Sequence, residues 1–121
     1  MEKQVEPTSH SQKTILVIED DTDFRRMTKA ILNRQGHTVL TAADVSEAET
    51  IWAMGRNTID GVVSDNVLGY DLGVDLVERF RNHQPDVRFV LCSGLPVDRQ
   101  VPGVSFLMKP FTVSAILEQV S

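Results

Sequence analysis

The run Thr14-Ile15-Leu16-Val17-Ile18 is apolar or β-branched throughout and stops abruptly at Glu19 and Asp20. A strand with one face in water alternates polar and apolar residues. An unbroken run is what a strand needs when both faces are buried, as in a parallel sheet with helices above and below. Parallel neighbours cannot be joined by tight hairpins and require long crossovers, so this one segment already commits the chain to repeated strand-then-helix units.

The remaining sequence supplies those units. Phe24, Met27, Ile31 and Leu32 recur at helical spacing, Asp21, Thr22 and Asp23 supply a cap, and Gly36 stands where a helix closes. His37 to Thr41 reads as a second strand. Ser46 and Glu49 then stand in capping-box spacing ahead of a helix carrying Ala48, Ile51 and Trp52. Ile59 to Ser64 is a third strand ending at Asp65; a loop with Gly69 and Gly73 leads to a helix carrying Val74, Val77 and Phe80, left at Pro85. Val87 to Cys92 and Val104 to Met108 are the fourth and fifth strands, and Thr112 caps a last helix carrying Val113, Ile116, Leu117 and Val120. Only Leu95 to Gly103 separate the last two strands, and Pro96, Pro102 and Gly103 fall within that segment, so a shortened or missing fourth helix is expected. Residues 13–121 are thus expected to form one domain, with polar residues 1–12 a flexible tail or linker.

In a parallel sheet every strand ends on the same edge, and that edge is where ligands bind. The residues just beyond the strands are Glu19 and Asp20, Asp65, Ser93 and Lys109. Three carboxylates forced together repel unless a cation sits among them. Magnesium suits them, since it prefers about six oxygen ligands and is commonly held by one or two carboxylates beside a phosphoryl oxygen; manganese is a substitute. A carboxylate so placed can attack phosphorus, because phosphoryl transfer needs mainly in-line positioning and neutralisation of the equatorial oxygens. The metal, Lys109 and Ser93 are available for those oxygens.

The run ILVIEDD at Ile15 to Asp21, VVSD at Val62 to Asp65 with Gly73 eight positions on, LCSG at Leu91 to Gly94 and MKPF at Met108 to Phe111 together resemble the receiver domain of two-component response regulators. The likeness covers roughly Lys13 to Val120, with four short motifs in order at strand ends. It implies a single doubly wound five-stranded parallel sheet of flavodoxin-like strand order 2-1-3-4-5. It further implies that Asp65 is the phosphoacceptor, that Glu19 and Asp20 are the acidic pair holding the metal with Asp65, and that the Val67 backbone carbonyl is a further ligand. Lys109 would contact the phosphoryl group, Lys109-Pro110 would be a cis peptide, and Ser93 and Phe106 would be the switch hydroxyl and switch aromatic. The implied function is magnesium-dependent transfer of a phosphoryl group to Asp65 from the phosphohistidine of a sensor histidine kinase or histidine phosphotransfer protein, switching a protein-interaction surface. Catalysis would be confined to the domain's own phosphorylation and slow autodephosphorylation.

Two departures from the family pattern carry consequences. Gly69 stands where many relatives have proline, so a looser loop is expected after Asp65. The short segment after Ser93 removes much of the usual dimerisation and output surface, and resembles receivers fused to sensor kinases or single-domain regulators that relay phosphate. Val67 and Leu95 are apolar where relatives often place polar groups near the attacking water, which is why slow phosphate loss is expected.

Charge and composition narrow the alternatives. With 17 acidic against 12 basic side chains, net −5, the chain offers no footprint for nucleic acid or an anionic membrane. No stretch approaches the ~18 apolar residues of a membrane span, and no signal-peptide run is present, so a cytoplasmic protein is expected. Cys92, the single cysteine, excludes an internal disulfide and is expected to be buried and inert. Trp52 reads as core, and so does Phe106 on general grounds; His10, His37 and His83 lack metal-ligand spacing. An aspartate-using phosphatase would want a second aspartate at position 67, which is valine, and a flavin site would want a phosphate cradle where Glu19 to Asp21 are acidic. A binding module that never takes phosphate has no need of the acidic pair, Asp65 and Lys109 together.

Overall fold

The computed structural model describes residues 12–55, 57–97 and 99–120. The expected tail lies outside them except for Gln12, whose side-chain amide donates to Thr38 Oγ1 at 2.9 Å. In chain order the elements are β1 (Thr14–Ile18), α1 (Thr22–Arg34), β2 (Thr38–Ala42), α2 (Val45–Gly55), β3 (Gly61–Asp65), β4 (Val67–Leu68), β5 (Asp71–Leu72), α3 (Gly73–His83), β6 (Arg88–Ser93), β7 (Val104–Met108) and α4 (Val113–Val120). The main sheet has the order β2-β1-β3-β6-β7 and every neighbouring pair is parallel. With the small β4–β5 hairpin set aside, this is the expected 2-1-3-4-5 order.

Alternation along each strand divides the core between two faces. Leu16, Ile18, Val62, Phe89 and Leu91 face Ala48 and Trp52 of α2 and Leu76, Val77 and Phe80 of α3. Trp52 stacks on Phe80 with ring centroids 4.3 Å apart. Ile15, Val17, Val63, Val90 and Cys92 face Leu32 of α1 and Ile116 and Val120 of α4. The central strands are covered on both sides, which is why they read as unbroken apolar runs.

Local expectations moved in three places. The capping box of α2 lies two residues earlier than Ser46 and Glu49: Asp44 Oδ1 accepts from the Glu47 amide at 2.8 Å, and Glu47 Oε1 accepts from the Ala43 amide at 2.7 Å. Glu49 instead pairs with Arg79 of α3 at 2.7 Å. The loop after Asp65 carries a short strand pairing of its own. Val67 pairs with Leu72 and Leu68 with Asp71, with Gly69 in the turn at φ +66°, so the residue that looked like a source of freedom permits a two-residue hairpin turn. Finally, Phe106 is 38% exposed rather than core.

The segment ahead of β7 bears on the exposure of Phe106. The described residues between β6 and β7 form no helix, as expected. The segment still packs: Val101 is buried and Val97 partly buried against the α2/α3 face, while Arg99 reaches Asp75 at 2.5 Å and Glu78 at 3.5 Å. A strap of irregular chain thus closes the core but leaves Phe106 and Met108 uncovered.

Candidate functional site

The parallel register delivers the ends of β1, β3, β6 and β7 to one edge of the sheet. Beyond β1, the chain turns at once into α1: Asp21 Oδ1 accepts from the Phe24 amide at 2.9 Å, and the Arg25 guanidinium donates to the Glu19 carbonyl at 2.8 Å. Glu19 is thereby held inward and buried, while Asp20 remains exposed. Asp65 ends β3, and Lys109 follows β7 with its amide donating to the Ser93 carbonyl at 2.8 Å. Lys109-Pro110 is cis, as the resemblance implied.

The side chains converge as the strand-end argument requires. Lys109 Nζ lies 2.9 Å from Glu19 Oε1 and 3.2 Å from Asp65 Oδ1, bridging the two carboxylates. Glu19, Asp20 and Asp65 each offer one oxygen, all within 4.8 Å of one another. This is an all-oxygen donor set of mixed exposure, suited to a hard divalent cation that keeps part of its water shell. Burial pushes the carboxyl pKa values of both Glu19 and Asp65 above the ordinary carboxylate range, against the opposing pull of Lys109. Burial alone would pull Lys109 down, but its hydrogen bond and charge contacts with Glu19 and Asp65 outweigh this and hold it above its ordinary value. The unfavourable burial of the acids is the strain that a cation relieves.

Ser93 is buried at the end of β6, but its hydroxyl is engaged locally, donating to the Leu95 carbonyl at 2.6 Å and accepting from the Leu95 amide at 3.1 Å. Phe106 stands further along β7, paired in register with Leu91, its ring partly in solvent. Val67 opens the β4–β5 hairpin beside Asp65 and is half exposed. Cys92 is buried and its thiol is pushed up to about 12 by burial, so it carries almost no thiolate at neutral pH.

Two supporting residues were missed in the sequence. Asn66 donates its amide to the Cys92 carbonyl at 2.8 Å, accepts from the Gly73 amide through its own carbonyl at 2.6 Å, and accepts from the Val74 amide through Oδ1 at 3.1 Å. It ties the end of β3 to β6 and to the start of α3, and its only sequence signal is an amide immediately after a strand-end aspartate. Phe24 stands out in the sequence only by its helical spacing on the first helix, yet Lys109 Nζ lies 4.1 Å from its ring centroid.

The family profile described as response regulator receiver domain matches residues 15–121. The chain is 32% identical to the sensor kinase CckA of Brucella abortus (strain 2308) over 123 residues, covering 95% of this chain and 13% of that protein. Among solved structures, the receiver domain from the hybrid histidine kinase CckA is 31% identical, with TM-score 0.78 and coverage of 88% of this chain and 94% of that one. A response regulator from Burkholderia pseudomallei, solved with a phosphorylated aspartic acid, a calcium ion and citrate, is 26% identical with TM-score 0.76, covering 91% of this chain and 67% of that one. Strand order, converging acidic cluster and family match agree: the chain belongs to the response regulator receiver domain family of two-component signalling.

Proposed function

We propose that Asp65 accepts a phosphoryl group from the phosphohistidine of a sensor histidine kinase or histidine phosphotransfer protein. The observation that carries this reading is the single ammonium of Lys109 spanning Glu19 and Asp65 amid three clustered carboxylate oxygens. Glu19, Asp20, Asp65 and the Val67 carbonyl are the groups that would hold magnesium, or manganese in its place; bound there, the ion supplies charge neutralisation for the carboxylates and for an incoming phosphoryl oxygen. An Asp65 oxygen forms the new bond to phosphorus as the phosphorus–nitrogen bond breaks, and the imidazole nitrogen keeps the bonding electron pair. Lys109 meets a second phosphoryl oxygen. Ser93 exchanges its Leu95 contacts for a third, and the Phe106 ring then moves inward, reshaping the uncovered β7 face as the signalling output. The Burkholderia regulator, which carries a phosphorylated aspartic acid beside a calcium ion, supports the chemistry by similarity.

Residues 13–121 constitute this receiver unit, acting in the cytoplasm; no helix among the described residues is long and apolar enough to cross a membrane. Mass spectrometry after incubation with acetyl phosphate is expected to show one added phosphoryl group in the presence of magnesium, none in EDTA, and none in Asp65→Asn. Addition to the Asp65→Asn protein, or indifference to metal, sinks the proposal.

The phosphorylated domain is expected to hydrolyse slowly. Val67 and Leu95 are both exposed at the site's rim and offer no polar group to orient water. The double variant Val67→Asn with Leu95→Glu is expected to lose phosphate roughly tenfold faster, short of the roughly 10²–10⁴-fold of a fully positioned proton-transfer group because these side chains only orient water. Unchanged or slower release, followed by radiolabel decay, counts against this account.

A further inference from the structure

The Lys109 ammonium has two carboxylate partners and one partner of a different kind. Its nitrogen lies 4.1 Å from the Phe24 ring centroid, inside the roughly 6 Å at which an aromatic face attracts a cation. That ring is set from both sides. Its backbone amide donates to the α1 cap Asp21 at 2.9 Å, so its place follows from where the helix begins, immediately after the acidic pair. Its edge is braced by Phe111, two residues beyond Lys109, with centroids 5.5 Å apart and planes at 88°. The segment that carries the lysine thus also carries the brace for the ring it rests on.

We propose that Phe24 is a positioning residue that holds Lys109 for phosphoryl transfer, an inference that rests on the phosphoacceptor function above. Glu19 and Asp65 are shared partners: both carboxylates are also donors for a divalent cation, and Asp65 is the group to be modified. A flexible four-carbon side chain tethered only through them loses its anchors when a ligand claims those oxygens. The Phe24 face is uncharged, is no metal ligand and is not consumed, so it keeps the ammonium at the site throughout.

The test compares wild type with Phe24→Leu and Phe24→Tyr, acetyl phosphate serving as donor at saturating magnesium. Phe24→Leu is expected to be phosphorylated about three- to tenfold more slowly at saturating donor, the span of a cation–π contact, while Phe24→Tyr, which keeps the ring, stays near wild type. A second readout needs neither metal nor phosphate. The Lys109 ε-methylene protons are expected to be shifted upfield by the ring in wild type and Phe24→Tyr, and to return to ordinary lysine positions in Phe24→Leu. A wild-type rate in Phe24→Leu, a loss in folded Phe24→Tyr equal to that in Phe24→Leu, or unshifted lysine protons in wild type overturns the proposal. A wild-type protein that takes no phosphoryl group at all instead overturns the phosphoacceptor function itself, and this inference with it.

Discussion

Gly73→Ala is expected to cost the protein about 3 kcal/mol or more, enough to lower the unfolding midpoint by roughly 10 °C or to prevent folding outright. A Cβ at this position falls on the carbonyl oxygen of Asp65, far inside van der Waals contact, and lies 3.0 Å from both the Asp65 carbonyl carbon and Ser64 Oγ. Two of those three atoms are backbone at the end of a central strand and cannot swing aside. Relief requires α3 to withdraw, and its start is secured by the Gly73 and Val74 amides donating to Asn66. Each buried hydrogen bond lengthened adds about 1 kcal/mol to the overpacking cost. Gly94→Ala is the control, since nothing lies within 4 Å of its Cβ position and its φ is not positive. It is expected to unfold within about 0.5 kcal/mol of wild type. Urea denaturation of both variants checks this, and a Gly73→Ala protein as stable as the control removes the argument. The close approach also has a functional meaning: it brings α3 tight against the carbonyl of the residue whose side chain faces Lys109.

What the sequence made legible, and what it hid, divides along the same line. The strands were legible because burial on both faces writes itself into consecutive residues, as in Ile15 to Ile18. The candidate cluster was legible because a parallel sheet places every strand end on one edge, so topology predicted that Glu19, Asp65 and Lys109 would meet, and their side chains do. Properties that depend on a partner distant in sequence were not. Nothing adjacent to Asp44 distinguishes it from Ser46 as the α2 cap, because the choice follows from where β2 releases the chain. Gly69 was read through the freedom it lacks proline to restrict, whereas its observed role depends on Val67 meeting Leu72. Phe106 has the composition of a core residue, yet the described residues before β7 form no helix and its ring stays 38% exposed. Phe24 has core spacing on α1, and its second role exists only because Lys109, far along the chain, arrives over its ring.

Asp65→Asn, measured in EDTA, is expected to make the fold more stable than wild type at neutral pH, by about 1 kcal/mol, the usual scale when strain at a functional site is removed. Burial raises the Asp65 carboxyl above its ordinary 3.8 even with Lys109 beside it, so the folded state holds this proton more tightly than the unfolded chain. Stability from that source is therefore greatest at and below the ordinary value and falls as pH rises through the folded one. The Glu19 carboxyl, also raised by burial, adds in the same sense. Lys109 has the opposite profile. Raised by its carboxylate partners, it contributes stability that is present below 10.5 and lost as pH climbs through its folded value. The variant removes one partner of Lys109, yet the net upward shift at Asp65 already includes that partner, so relief of the buried charge wins. As pH rises above the ordinary carboxylate value, wild type should thus lose stability more steeply than Asp65→Asn. Magnesium is expected to invert the order, because a ligand that binds only the folded state stabilises it by mass action, about 2.7 kcal/mol at a hundred times its dissociation constant. Wild type gains this in full, whereas the variant has lost a carboxylate from the cluster and gains less. Thermal unfolding of both proteins with EDTA and with magnesium should show the two curves exchanging places. A variant less stable than wild type without metal, or equally responsive to magnesium, would mean that Asp65 neither suffers from burial nor helps to hold the ion.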